Sequence, residues 1–143
     1  MKKAFSLFLL ALLLVLSLSS CNLGGPEIED YEWHMRVAMH IEDGDVVYDA
    51  VGEQDAAHPD AKVIKMTLLA KNGQVTITDN TNGTTYEGVY TVSGRNPGGT
   101  DYYITVDGKM GNAAVAMTTY LDGREEPTLP ISLGGYSLYF YAE

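Results

Sequence analysis

The three histidines of this sequence are candidate metal ligands. His34 and His40 share the polar face of an alternating segment, and His58 lies 18 residues farther along. Six residues of extended chain separate His34 from His40 by about 20 Å, which is too far for both to bind one ion. His58 would need a tertiary contact to join either of them, so the sequence favours surface histidines.

A cluster of carboxylates raises the same question for calcium. Glu42, Asp43, Asp45 and Asp49 lie within eight residues. Hard cations take several carboxylate oxygens, but this spacing does not match the twelve-residue calcium loop, with its Gly at position six and Glu at position twelve. The sequence therefore predicts a solvated acidic hairpin, no metal and no other cofactor.

Covalent catalysis has no clear candidate residues either. A nucleophile needs a base beside it, and no Ser stands in the strand-to-helix elbow that exposes a catalytic hydroxyl. The ten tyrosines are more informative. Four of them, Tyr86, Tyr90, Tyr102 and Tyr120, can project inward from strands, either to line a ligand cavity or to fill an ordinary core. We therefore expect a protein that binds and does not catalyse.

The amino terminus has the layout of a secretion signal. Lys2 and Lys3 precede an uncharged, mostly apolar run from Ala4 to Ser20, which is short for a transmembrane anchor. The run ends in Leu18-Ser19-Ser20-Cys21, which resembles the lipobox of bacterial lipoproteins. The resemblance implies cleavage before Cys21, a diacylglycerol on its thiol, and a further acyl chain on the new amino terminus. Two or more acyl chains make a stable anchor, so we expect a lipid-anchored protein on the extracytoplasmic side of a bacterial cell-envelope membrane.

Charge and length limit the possible functions of the chain beyond the signal. The 143-residue chain carries 19 acidic and 9 basic residues, and its formal net charge is −10. Between Glu27 and Asp60 stand eleven acidic residues against Arg36 alone. Without a basic patch to displace counterions from phosphates, nucleic acid is a poor partner. The 123 residues after the signal suffice for one domain with a core, and with Cys21 lipidated no cysteine remains for a disulfide.

The chain beyond the signal has the pattern of strands joined by tight turns. Residues 21–30 contain Gly24-Gly25-Pro26 followed by acids and are expected to form a lipidated, flexible tether. From Tyr31 to Glu42 polar and apolar residues alternate strictly, which predicts a half-buried strand. The polar stretch 52–60 is expected to form a loop or one short helical turn, and the glycine-rich stretch 93–100 is expected to form a loop. Further strands are expected over 45–51, 62–71, 74–79, 84–92, 101–106, 110–121, 128–133 and 136–142, with turns such as Asn72-Gly73 and Asp107-Gly108 between them.

Eight or nine such strands predict an all-β fold, an antiparallel up-and-down meander over residues 31–143. Because an open sheet would leave edges and one apolar face exposed, we expect a small closed barrel, with a two-sheet sandwich as the alternative. The pattern resembles the lipocalin-like (calycin-type) domains of bacterial lipoproteins in Trp33, Asn72-Gly73, Gly88-Val89-Tyr90 and the terminal strand Tyr136–Tyr141. The Gly-x-Trp opening of true lipocalins is absent, since Tyr31 stands where Gly would be.

The resemblance implies a small apolar or amphipathic ligand held inside the barrel. The residues expected to line that site are apolar or aromatic and lie on predicted inner faces: Trp33, Met35, Met39, Tyr86, Tyr90 and Tyr102. A solid core made of the same residues is the competing interpretation. A different function, supported by the charge asymmetry, is a protein-interaction or inhibitor lipoprotein whose acidic N-terminal hairpin docks a basic partner such as a cell-wall lytic enzyme. An enzyme is the third hypothesis.

Overall fold

The computed structural model describes residues 24–50 and 58–143. The signal segment 1–20, Cys21 and most of the expected loop over 52–60 lie outside the described residues. The described part contains one 3-10 helix, Ile28–Asp30, and ten strands. The strands are β1 (Trp33–His40), β2 (Val46–Asp49), β3 (Lys62–Val63), β4 (Met66–Lys71), β5 (Gln74–Asp79), β6 (Thr84–Asn96), β7 (Gly99–Val106), β8 (Lys109–Thr119), β9 (Glu125–Leu133) and β10 (Tyr136–Ala142).

Eight of these strands close into an antiparallel up-and-down barrel, as the sequence predicted. From β4 to β10 each strand pairs with the next along the chain, β10 pairs with β1, and β1 pairs with β4. The remaining strands, β2 and β3, are additional: β2 runs antiparallel to β1, and β3 runs parallel to β2. Closure leaves the barrel strands without free edges, and it places alternate residues of every strand inside.

Tight turns set the register of the barrel. Asn72 and Gly73 both have positive φ, at 53° and 79°, and Asp107 and Gly108 repeat the pattern at 49° and 73°. Positive φ at both central residues defines the type I′ hairpin turn, whose twist matches that of the strands it joins. The predicted hairpins at these two positions are confirmed.

The alternation predicted for the first strand fails after Met35. The pairing of β1 with β10 shifts between Met35 and Val37, which is a β-bulge around Arg36. One inserted residue turns all later side chains to the opposite face. Ala38 is consequently fully buried, while Val37 pairs with the partly exposed Tyr139. Met39, expected on the inner face, lies on the outer one in the register of Ser137.

Candidate functional site

One end of the barrel is sealed by residues that the sequence placed in the tether. Ile28, in the 3-10 helix, is completely buried. Its backbone N–H donates to the Tyr102 hydroxyl over 3.1 Å, and its carbonyl accepts from the Trp33 indole N–H over 2.8 Å. The prediction of a flexible tether through residue 30 is therefore wrong for residues 27–30, because burial of Ile28 fixes this segment against the barrel. A lone Ile among acidic residues was the only sequence signal.

A carboxylate holds the same segment to two strands. Glu29 accepts a hydrogen bond from the backbone N–H of Asn72 over 2.8 Å and another from the Tyr90 hydroxyl. The hydrogen bond from Tyr90 is the largest influence on the pKa of Glu29, and the net effect lowers that pKa. Burial, followed by the hydrogen bond to Glu29, raises the pKa of Tyr90 to about 12. The pair therefore remains a carboxylate and a neutral phenol across the physiological range.

Four of the six residues expected to line a ligand site belong to the packed core near this sealed end. Trp33, Met35 and Tyr102 are at most 1% exposed, and Tyr90 is 8% exposed. The rings of Tyr90 and Tyr102 pack edge to face with centroids 5.6 Å apart. Their contacts are with the protein itself, which favours the solid-core interpretation for these residues.

At the opposite end of the barrel, the residues that the structure describes fill the interior less completely. Inward-facing residues there are only partly buried against the core: Tyr48, Ile64, Met66, Tyr86, Leu133 and Leu138. Between β2, β3 and the start of β4 on one side, and β5 and β6 on the other, lies a cavity of about 410 Å³ lined by Tyr48, Ile64, Met66 and Tyr86 together with polar groups. Pockets that hold small molecules span about 300–1,000 Å³, so this cavity, called here the mouth, is large enough for a small ligand.

The extra strands form the mouth because β1 and β4 diverge. Their pairing covers Trp33 and His34. Farther along, β1 pairs with β2 through Val37, Ala38 and Met39. Strands β2 and β3 thus stand in the gap and add a side wall. Of the residues expected to bind ligand, the mouth contains Tyr86 alone; Tyr48, Ile64 and Met66 were missed because the splaying of β1 from β4 has no local sequence signal.

A buried carboxylate shapes the polar rim of the mouth. Asp79 is 4% exposed and accepts hydrogen bonds from the backbone N–H groups of Thr81 and Asn82, both over 2.9 Å, and from the Asn82 side chain over 2.7 Å. Burial acts to raise the pKa of Asp79, but these hydrogen bonds outweigh it and the pKa is lowered. Asp79 therefore fixes the β5–β6 turn as a carboxylate at neutral pH.

His34 and His40 have different neighbours in the structure. The Nε2 atom of His34 lies 3.2 Å from a carboxylate oxygen of Glu143 and 3.5 Å from one of Glu32, while the ring of His40 packs on Tyr136. Within residues 24–50 and 58–143, no group of three His, Cys, Asp or Glu side chains is arranged to hold a metal ion. In the acidic cluster of the first hairpin, Glu42, Asp43 and Asp45 are exposed, whereas Asp49 is 4% exposed.

Comparison with known proteins adds no assignment. No protein-family model, curated protein or solved structure matches this chain. No helix in the part of the chain that the structure describes is long and apolar enough to cross a membrane.

Proposed function

We propose that this protein is a lipid-anchored, extracytoplasmic binding module of a bacterial cell envelope, without catalytic activity, that holds a small apolar or amphipathic ligand in the mouth of its barrel. One observation carries the proposal. Inward-facing side chains are fully buried at the sealed end but only partly buried at the mouth, where aromatic and aliphatic groups adjoin a polar rim. Ligand pockets combine apolar walls with polar groups that orient the ligand, and the lining of the mouth contains both, with polar groups in the larger share. This arrangement also agrees with the resemblance of the sequence to lipocalin-like domains.

The position of Gly25 supports the orientation that such a module needs. Gly25 touches the β6–β7 turn at the sealed end, since a Cβ built on it would lie 2.9 Å from the backbone nitrogen of Gly99. Cys21 precedes Gly24 by three residues, a span of about 11 Å at full extension. Lipid on Cys21 would hold the sealed end near the membrane, with the mouth on the far side, open to solution.

Binding to the mouth is tested with a neutral, environment-sensitive dye, N-phenyl-1-naphthylamine, because the acidic protein would repel an anionic one. The protein used is residues 22–143, which contain all ten strands. We expect saturable dye fluorescence, with energy transfer from Trp33. Tyr86→Ala should weaken binding about tenfold, equivalent to about 1.4 kcal/mol. Tyr103→Ala, which removes a 63% exposed tyrosine from the outer wall, is the matched control and should bind as wild type. A flat titration, or equal affinity of both variants, would reject the site.

The anchor is tested separately in cells. Cys21→Ser removes the thiol that accepts the lipid, so incorporation of radiolabelled fatty acid should cease and the uncleaved precursor should accumulate. A Ser20→Ala variant keeps a small residue before Cys21 and should be labelled normally. Persistent labelling of Cys21→Ser would disprove the lipoprotein assignment.

The acidic hairpin between β1 and β2 supports a second candidate function, docking of a basic protein. Glu42, Asp43 and Asp45 are exposed beside Ile41, which is itself 56% exposed. An apolar side chain among like charges is a suitable centre for an electrostatically steered interface. Reversing the charge with Asp43→Lys and Asp45→Lys would abolish inhibition of a basic cell-wall lytic enzyme if the hairpin docks it, and would leave dye binding at the mouth unchanged.

A further inference from the structure

The outer wall of the barrel carries a groove that neither the mouth nor the core accounts for. It has a volume of about 370 Å³ and runs across β8, β9, β10 and β1. Its walls are mostly apolar and include Val37, Pro130 and three tyrosines, Tyr120, Tyr139 and Tyr141. Tyr120 was expected to point inward, but it lies on this outer face. Side chains that face outward from a barrel normally contact water, and a contiguous apolar patch among them often marks a binding surface.

Tyr139 forms the centre of the groove. It stands directly across from Val37 on one neighbouring strand and from Pro130 on the other. It is 41% exposed, and no ring or cation packs on it among the described residues. Its ring therefore presents apolar surface to solvent between two aliphatic neighbours.

Polar groups of both kinds surround this ring. The guanidinium of Arg36 lies over the Tyr141 ring at 4.8 Å, and that of Arg124 lies over the Tyr120 ring at 4.6 Å. Beside them the hydroxyls of Thr118 and Thr128 are 2.8 Å apart. Glu126, which pairs with Thr118 across the strands, has a buried Oε1 atom without a hydrogen-bond partner in the described part of the chain. The groove and its rim thus offer guanidinium donors and hydroxyls, whereas the Oε1 atom of Glu126 is shielded from solvent.

Charge restricts what this surface can bind. Two guanidinium groups beside the groove disfavour a cation. An anion is repelled by the chain as a whole, whose formal net charge is −10, and Arg124 already lies near Asp122 and Glu126, at 3.8 Å and 3.7 Å. A neutral ligand with one flat apolar face and many hydroxyls fits the groove best.

We infer that the groove is a second binding site, separate from the mouth, for a neutral carbohydrate chain. A pyranose ring presents polarised C–H groups on one face, and these are attracted to the negative face of an aromatic ring such as Tyr139. Its hydroxyls can accept hydrogen bonds from Arg36 and can exchange hydrogen bonds with the hydroxyls of Thr118 and Thr128, which line the groove. Because the groove lies on the outer wall and Tyr139 at its centre is exposed to solvent, a segment of a longer polymer can enter it, such as a glycan of a cell envelope.

The site is tested with full-length protein in phosphatidylcholine vesicles and two fluorescently end-labelled probes, maltohexaose and the hexamer of β-1,4-linked N-acetylglucosamine. Co-sedimentation of probe with vesicles measures binding. At least one probe should bind saturably, with a dissociation constant below about 1 mM, or −4.1 kcal/mol. Tyr139→Ala should weaken binding at least tenfold, whereas Tyr139→Phe keeps the ring and should stay within about twofold of wild type.

Two control variants distinguish this inference from the proposed function. Tyr103→Ala removes an exposed outer-wall tyrosine outside the groove, and Tyr86→Ala alters the mouth; both should bind the probes as wild type does. Blue-shifted Trp33 emission verifies that each variant is folded. Failure of both probes to bind would overturn the inference, as would full binding by Tyr139→Ala. Loss of binding in Tyr86→Ala alone would overturn it too, by assigning carbohydrate to the mouth.

Discussion

Ile28→Ala tests whether the 3-10 helix is part of the fold. Ile28 is 0% exposed, so the substitution removes three carbons from a site fully shielded from water. At about 0.8 kcal/mol per buried carbon, transfer alone accounts for roughly 2.4 kcal/mol. The cavity left behind adds to this, because the barrel wall relaxes only in part, so the free energy of unfolding should fall by about 2–5 kcal/mol.

Urea denaturation followed by Trp33 emission measures this change directly, since the Trp33 indole donates a hydrogen bond to the Ile28 carbonyl. Ile41→Ala is the matched control: the chemical change is identical, but Ile41 is 56% exposed and its loss should stay within about 0.5 kcal/mol. Equal denaturation midpoints for the two variants would refute the sealed end and return residues 27–30 to the tether.

Three further predictions concern the core, the Glu29 carboxylate and a close strand contact. Trp33, which is 0% exposed, should show blue-shifted emission, and Trp33→Ala should cost roughly 3–5 kcal/mol in denaturation experiments. Folding lowers the pKa of Glu29 below its ordinary value of 4.5, so the stabilisation by the Glu29 carboxylate is complete above that value and is lost as pH falls through the lowered pKa. The urea midpoints of wild type and Glu29→Gln should therefore converge on acidification. A constant difference between the two midpoints down to pH 3 would contradict this role of Glu29. Gly88→Ala would place a Cβ 2.2 Å from the Thr105 carbonyl oxygen. The substitution should therefore push β6 away from β7 and lower the melting temperature by several degrees. An unchanged melting temperature would contradict the observed register.

Local patterns were sufficient to predict most of the barrel. The alternating segments 74–79 and 136–142 coincide with β5 and β10, because side chains of period two and a flanking positive-φ turn determine a strand without reference to the rest of the molecule. Closure followed from the cost of leaving edges unpaired.

Other features depend on contacts distant in sequence. The glycines of 93–100 predicted a loop, yet β6 continues to Asn96 and β7 begins at Gly99. A Cβ on Gly99 would lie 1.9 Å from the carbonyl oxygen of Val115, so this glycine allows a close strand contact rather than a flexible turn. The bulge around Arg36 likewise depends on pairing with β10, which is why Met39 was assigned to the wrong face.

The mouth and the sealed end could be anticipated only in part for the same reason. Tyr86 was selected as an inward aromatic, but the sequence does not show that β1 leaves β4 and that β2 and β3 fill the gap. The hydrogen bonds of Glu29 to Asn72 and Tyr90 join residues 43 and 61 positions apart, and no local pattern indicates them.

Methionine-methyl NMR tests the central claim, that ligand binds at one end of the barrel, most directly. Met66 lines the mouth. Met117 lies near the end of β8 that is at the sealed end of the barrel, and it is 43% exposed. During titration of residues 22–143 with N-phenyl-1-naphthylamine, we expect the Met66 methyl resonance to shift saturably and that of Met117 to remain in place. An unchanged Met66 resonance at saturating dye, or a shift confined to Met117, would contradict binding at the mouth.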